Sequence, residues 1–179
     1  MGEACNHESY GIMNLRAIPL GGLVSIAVLL PNLLVVFWSP WPSQSGGNAE
    51  VVSENRLLLV LERVGQLGCF ALPFFLQIEL RGATEAVALG VMVAALALYY
   101  SGWLRYLRYG RKEDILYAPM WRLPLPMAVM PILYFLAASM ILHSVWLTAS
   151  AVILGIGHIP LSQATRARLT GLGKEAISE

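Results

Sequence analysis

Five stretches of this chain, at 18–38, 57–78, 83–104, 123–142 and 145–164, stay apolar over nearly their whole length. A helix needs about 20 predominantly apolar residues to cross the hydrocarbon core of a bilayer. Within that core every backbone N–H and C=O must be satisfied locally, which a helix does by itself. The stretches therefore predict five membrane-crossing helices. They take up most of the 179 residues, leaving no length for a separate soluble domain. Composition agrees, with 57% hydrophobic residues, 13% charged residues and a mean hydropathy of +0.63. The predicted fold is an all-α, polytopic integral membrane bundle. It divides into a polar N-terminal segment at 1–17, a five-helix domain at 18–164 and a cytoplasmic tail at 165–179.

The first stretch does not read as a cleavable signal. It is longer than a secretory apolar region, follows a single Arg16 and lacks a small-x-small cleavage site. A net charge of +1 offers no basic surface for nucleic acid. Cys5 lies in the polar segment and Cys69 within the second stretch, so neither a disulfide nor a metal site is expected. Cys5 and His7 provide two metal-binding groups at most. No cofactor is expected.

Lys and Arg favour the cytoplasmic side of a membrane. The loop between the third and fourth stretches carries Arg105, Arg108, Arg111 and Lys112, with Arg122 just beyond, and the tail carries Arg166, Arg168 and Lys174. The turn near His143 has no Lys or Arg. With five crossings, this places the N-terminus outside and the C-terminus in the cytoplasm. Trp38, Trp41, Tyr99, Trp103, Tyr106, Tyr117 and Trp121 then cluster near cytoplasmic ends, where a ring with a polar edge suits the interface. The Pro-, Ser- and Gly-rich run "SPWPSQSGGNAE" reads as a loop.

Polar residues inside the stretches follow helical spacing. Glu62, Gln66, Cys69, Pro73 and Gln77 recur every three or four positions and share one face, bordered by Gly65 and Gly68. In the last stretch Ser144, Thr148, Ala151, Gly155, His158, Ser162 and Thr165 form a small and polar seam of the kind that packs helices in lipid. Val145, Leu147, Val152, Ile153, Leu154 and Ile159 lie between them. Pro31 and Pro131 are expected to bend their helices. Asn32, Glu62, Gln66, Arg122 and His158 come from four stretches and fall in the same predicted cytoplasmic half. Ionisable groups within a membrane span are a default functional-site hypothesis. As plain structural glue, the same residues would pair as Glu62–Arg122 and Gln66–Asn32.

Familiar chemistries are absent from the sequence. There is no H-E-x-x-H zinc pair, no G-x-S-x-G elbow and no acidic cluster to hold Mg²⁺ and a diphosphate. The Pro31–Asn32 step, "ERVGQLG" at 62–68 and "GHIP" at 157–160 resemble an uncharacterised family of small bacterial five-helix membrane proteins. That resemblance implies a multi-pass protein of the bacterial plasma membrane and names no activity. The leading expectation is a binder or carrier of a small or amphipathic molecule, held by Asn32, Glu62, Gln66, Arg122 and His158. The alternatives are an intramembrane enzyme using Glu62 and His158 as acid and base, and an accessory subunit docking through the last seam. Membrane lipid is the expected surround, and a second copy or a membrane-protein partner is compatible with that seam.

Overall fold

The structure, a computed structural model, describes residues 20–38, 56–78, 80, 82–111, 113–120 and 125–178, without the side chains of 35–38, 113, 114 and 171–178. Cys5, His7, Arg16, Trp41, Arg81, Lys112, Trp121 and Arg122 lie outside the described residues, as do the N-terminal segment and the 39–50 loop. The described chain is helical: α1 Gly21–Trp38, α2 Arg56–Ala71, a 3-10 turn Leu72–Phe75, α3 Ala83–Arg108, α4 Glu113–Tyr117, α5 Pro126–Ile141 and α6 Val145–Ser178. Three segments are long and apolar enough to cross a membrane: Arg56–Phe75, Ala83–Arg108 and Val145–Thr170. Gly21–Leu34 and Pro126–Ile141 are apolar but shorter.

The helices pack mainly as α2 on α6, α3 on α5 and α5 on α6. Gly21 at the start of α1 sits against the carbonyls of Pro73 and Leu76 beyond the end of α2, where a side chain would not fit. At the α3–α5 end, Glu85 meets His143. Phe135 and Leu147 are fully buried at the centre, beside Cys69, Tyr134 and Ala151. Phe135 meets Phe70 edge to face with centroids 5.5 Å apart, and Tyr134 in the same manner. Where the surround is itself hydrocarbon, this packing is favoured by dense dispersion contacts rather than by escape from water.

Two prolines explain two contacts between helices. Proline has no N–H, so it leaves the carbonyl four residues earlier without its helical partner. Pro31 releases the carbonyl of Ala27, and the Tyr100 hydroxyl donates to it at 2.8 Å. Pro73 releases the carbonyl of Cys69, and Ser25, itself fully buried, donates to Phe70 O at 3.0 Å and approaches Cys69 O at 3.4 Å. Each exposed backbone acceptor is thus covered by a hydroxyl from another helix, as an apolar surround requires. Helices α1 and α5 both continue through their internal prolines.

Several expectations are corrected. The second stretch stops being α-helical at Ala71, because Pro73 tightens the chain into the 3-10 turn and Leu76 is extended (φ −112°, ψ 150°). Gln77 consequently leaves the polar face of α2 and is exposed. Helix α6 runs 34 residues and carries the expected tail as helix, its good helix formers "ATRARL" giving no stop signal. The small-residue seam is only partly the buried face. Leu147 and Leu154, expected on the outer face, are buried, while Thr148 is exposed. Of the aromatic residues at the end of α3, Tyr99 and Tyr106 are buried and Trp103 stacks edge to face between them, while Tyr109 stays exposed.

Candidate functional site

The site begins with how closely α2 and α6 cross. A Cβ on Gly157 would fall 2.5 Å from Glu62 N and 2.7 Å from Leu58 O. A Cβ on Gly65 would collide with the backbone of Leu154, and one on Gly68 with the side chain of Ser150. Three missing side chains therefore let two backbones touch, the device that small residues serve between membrane helices. The seam expected on α6 is shared: the Thr148 hydroxyl donates to Ser139 of α5 at 2.8 Å and Gly155 is in reach of Ile132, while His158 turns to α2.

This crossing sets Glu62 opposite His158, with Nδ1 2.6 Å from Oε1. The side chains are only 15% and 29% exposed, respectively. Gln66, one turn on, donates to the same carboxylate oxygen at 3.4 Å, and its own carbonyl oxygen takes a long 3.5 Å contact from Arg63. A carboxylate accepts only, so an ionised Glu62 fixes the proton of the imidazole on Nδ1 and leaves Nε2 as the second functional nitrogen. Nε2 is an acceptor in the neutral ring and a donor in the imidazolium.

His158 also lines a cavity of about 450 Å³ whose wall is formed by residues of α1, α2, α3, α4, α5 and α6. That volume is within the range of small-molecule sites. Asn32 and Gln66 line it too, with Tyr99, Trp103 and Ser162. The Asn32 amide donates to the Tyr99 hydroxyl at 3.2 Å. Asn32 and Gln66 therefore do not pair with each other, because each amide has a nearer partner on another residue. Glu62 touches the cavity through His158, and Arg122 lies outside the described residues.

A strap closes the α4 end. The chain turns after α3 at Gly110 (φ 82°) and Arg111 (φ 61°), and α4 brings Leu116 and Tyr117 into the cavity wall. Arg105, expected only as a marker of sidedness, pins this strap by donating to the carbonyls of Ile115 (2.7 Å), Ala118 (2.9 Å) and Pro119 (3.0 Å). A guanidinium presents several donors in a rigid fork, which suits three converging carbonyls.

Sequence reasoning placed Tyr99 and Trp103 at an interface and missed them as lining. Their signal was available, since Tyr99 and Trp103 are four apart on one helical face. It also missed Glu85, whose carboxylate lies 3.7 Å from His143 Nε2. His143 takes the left-handed conformation (φ 46°) that ends α5, with Ser144 N–H bonding back to Ser139 O. Among the described residues no three His, Cys, Asp or Glu side chains converge. No protein family, curated protein or solved structure matches this chain.

Proposed function

We propose that the protein is a membrane-embedded binder or carrier of a small amphipathic molecule, taken into the cavity beside His158. One observation carries this reading: a histidine oriented by a partly buried carboxylate at 2.6 Å stands at the wall of a cavity large enough for a ligand. Structural glue needs the ion pair but not the space. Preformed concave sites with apolar walls and a few directed polar groups are the usual form of ligand pockets. Glu62 is the positioning anchor, His158 and Asn32 are the contact groups, and Gln66 supports both the pair and the wall. In a thermal melt of the purified full chain, a screen of membrane-lipid and metabolite extracts should raise the melting temperature of the wild type. Glu62→Gln should lose that response. A wild type unmoved by every extract rejects the reading.

In this reading all five apolar helices cross the bacterial plasma membrane, with the N-terminus outside and the strap and C-terminus in the cytoplasm. The cluster of Arg105, Arg108 and Arg111 at one end, against only Arg81 in the loop before α3, supports that orientation. Trp146→Cys and Tyr109→Cys, each in a Cys5→Ser background, test it. Both side chains are exposed at opposite ends of the bundle. An impermeant maleimide should label position 146 in intact cells and position 109 only after permeabilisation.

The same pair supports a second reading, an intramembrane enzyme acting on a lipid-soluble substrate. A carboxylate on Nδ1 with Nε2 left over is the arrangement of a general base. Membranes bearing the wild type should then convert an added lipid extract that His158→Ala membranes leave unchanged.

A further inference from the structure

The cavity is zoned along its length. On three helices an apolar lining residue is followed, one turn nearer the strap, by a polar one: Val28 then Asn32 on α1, Phe70 then Gln66 on α2, Leu154 then His158 on α6. One turn is about 5.4 Å, so an apolar half and a polar half lie end to end. Among the described lining residues none is Lys, Arg, Asp or Glu. The nearest charges are already engaged, Glu62 by His158 and Gln66, and Arg105 by three strap carbonyls. Among the described residues an anionic or cationic headgroup would therefore meet no free counter-ion, at the desolvation cost of an unpaired charge.

The polar half offers donors in want of an acceptor. The Trp103 indole N–H is buried beside the Tyr99 hydroxyl but makes no well-aligned hydrogen bond among the described residues, and an indole can only donate. His158 Nε2 has no bond among the described residues, and it donates when the ring is the imidazolium paired with Glu62. Rings fixed edge to face line both halves, Phe70 against Phe135 in the apolar one with centroids 5.5 Å apart and Tyr99 against Trp103 in the polar one with centroids 6.3 Å apart. Resting on the binder reading above, we infer that the ligand is an uncharged, ring-bearing molecule with carbonyl oxygens, its oxygens toward Trp103 and His158 and its hydrocarbon toward Phe135. That is the chemistry of a quinone, whether free or carried on a lipid tail.

The test uses the purified full chain in detergent, read by melting temperature and by quenching of tryptophan fluorescence. The probes are a decyl-substituted benzoquinone, tail-less duroquinone, dodecanol and dodecanoate. The decyl quinone should raise the melting temperature by about 5 °C at a hundredfold excess over its Kd. Dodecanoate should not. Trp103→Phe keeps a ring and removes the donor, so it should weaken the quinone about tenfold while the ligand-free protein still melts cooperatively. Equal binding of duroquinone supports the same class and makes the free ring the ligand, whereas binding of the decyl quinone alone makes it a lipid. Dodecanol binding as well as the quinone, or dodecanoate binding in its place, overturns the ring or the charge assignment while the cavity reading stands. If no probe binds but an extract still shifts the wild type, this inference fails alone. If neither shifts it, both readings fail.

Discussion

Gly157 of α6 lies directly against the backbone of Glu62 on α2, so close that a Cβ would come 2.9 Å from Glu62 Cα. The approach of these two backbones brings His158, the next residue, onto the Glu62 carboxylate. Gly157→Val should therefore push the helices apart, destabilise the protein by about 1–3 kcal/mol and abolish ligand-dependent melting. Gly90→Ala is the control, because nothing lies within 4 Å of a Cβ there. It should be neutral or raise the melting temperature slightly, as alanine does in an exposed helix. Equal losses from both substitutions would contradict the close crossing.

The Glu62–His158 pair should be stabilising as well as functional. Glu62→Gln keeps the side-chain shape but exchanges a charge-assisted bond for a neutral one, for a loss of about 1–2 kcal/mol in a denaturant or thermal titration. His158→Ala should cost more, because it leaves a half-buried carboxylate with only Gln66 beside it. A melting temperature unchanged by both would mean the pair does not form.

The hydroxyl that covers the carbonyl freed by Pro31 gives a coupled prediction. Tyr100→Phe removes the donor to Ala27 O and should cost about 1 kcal/mol. In a Pro31→Ala background the helix can satisfy that carbonyl itself, so the same substitution should cost clearly less. A double-mutant cycle reads the difference. Additive effects would show that Tyr100 does not act through the proline.

Arg105 should hold the strap. Arg105→Ala removes three donors, so the amides of 113–120 should exchange with deuterium faster, with little change in the exchange of α5 or α6. Arg105→Lys should rescue this only in part, since an ammonium cannot match the fork. Unaltered exchange in 113–120 would assign Arg105 to sidedness alone.

The elements and some of the site were legible from spacing. Helical periodicity put Glu62 and Gln66 on one face, and His158 on a packing seam, before any coordinates. Periodicity tells which face of a helix turns inward but not which neighbour it meets. Asn32 thus took Tyr99 as its partner instead of Gln66, and the seam of α6 met α5 through Thr148 and α2 through His158. The α2 contact runs through Gly65, Gly68 and Gly157, whose lack of a side chain records closeness without naming the residue opposite. Arg105 and Trp103 read as topology signals because charge and aromaticity near a helix end ordinarily serve that purpose. Their other use depends on a strap folded back over the helix end, which sequence spacing does not encode. Spacing counted Pro73 and Gln77 on the helical face of α2, whereas the missing N–H of Pro73 ends that helix early in a 3-10 turn.

The central claim is that the space beside His158 is a ligand site whose polar end is set by Glu62. An experimental structure of the protein purified from its own membrane tests this most directly. The account predicts non-protein density within hydrogen-bond distance of His158 Nε2, extending past Phe70 toward Phe135, with Glu62 still on Nδ1. A cavity filled by the protein's own side chains, or a Glu62 carboxylate turned outward to acyl chains and away from His158, would contradict it.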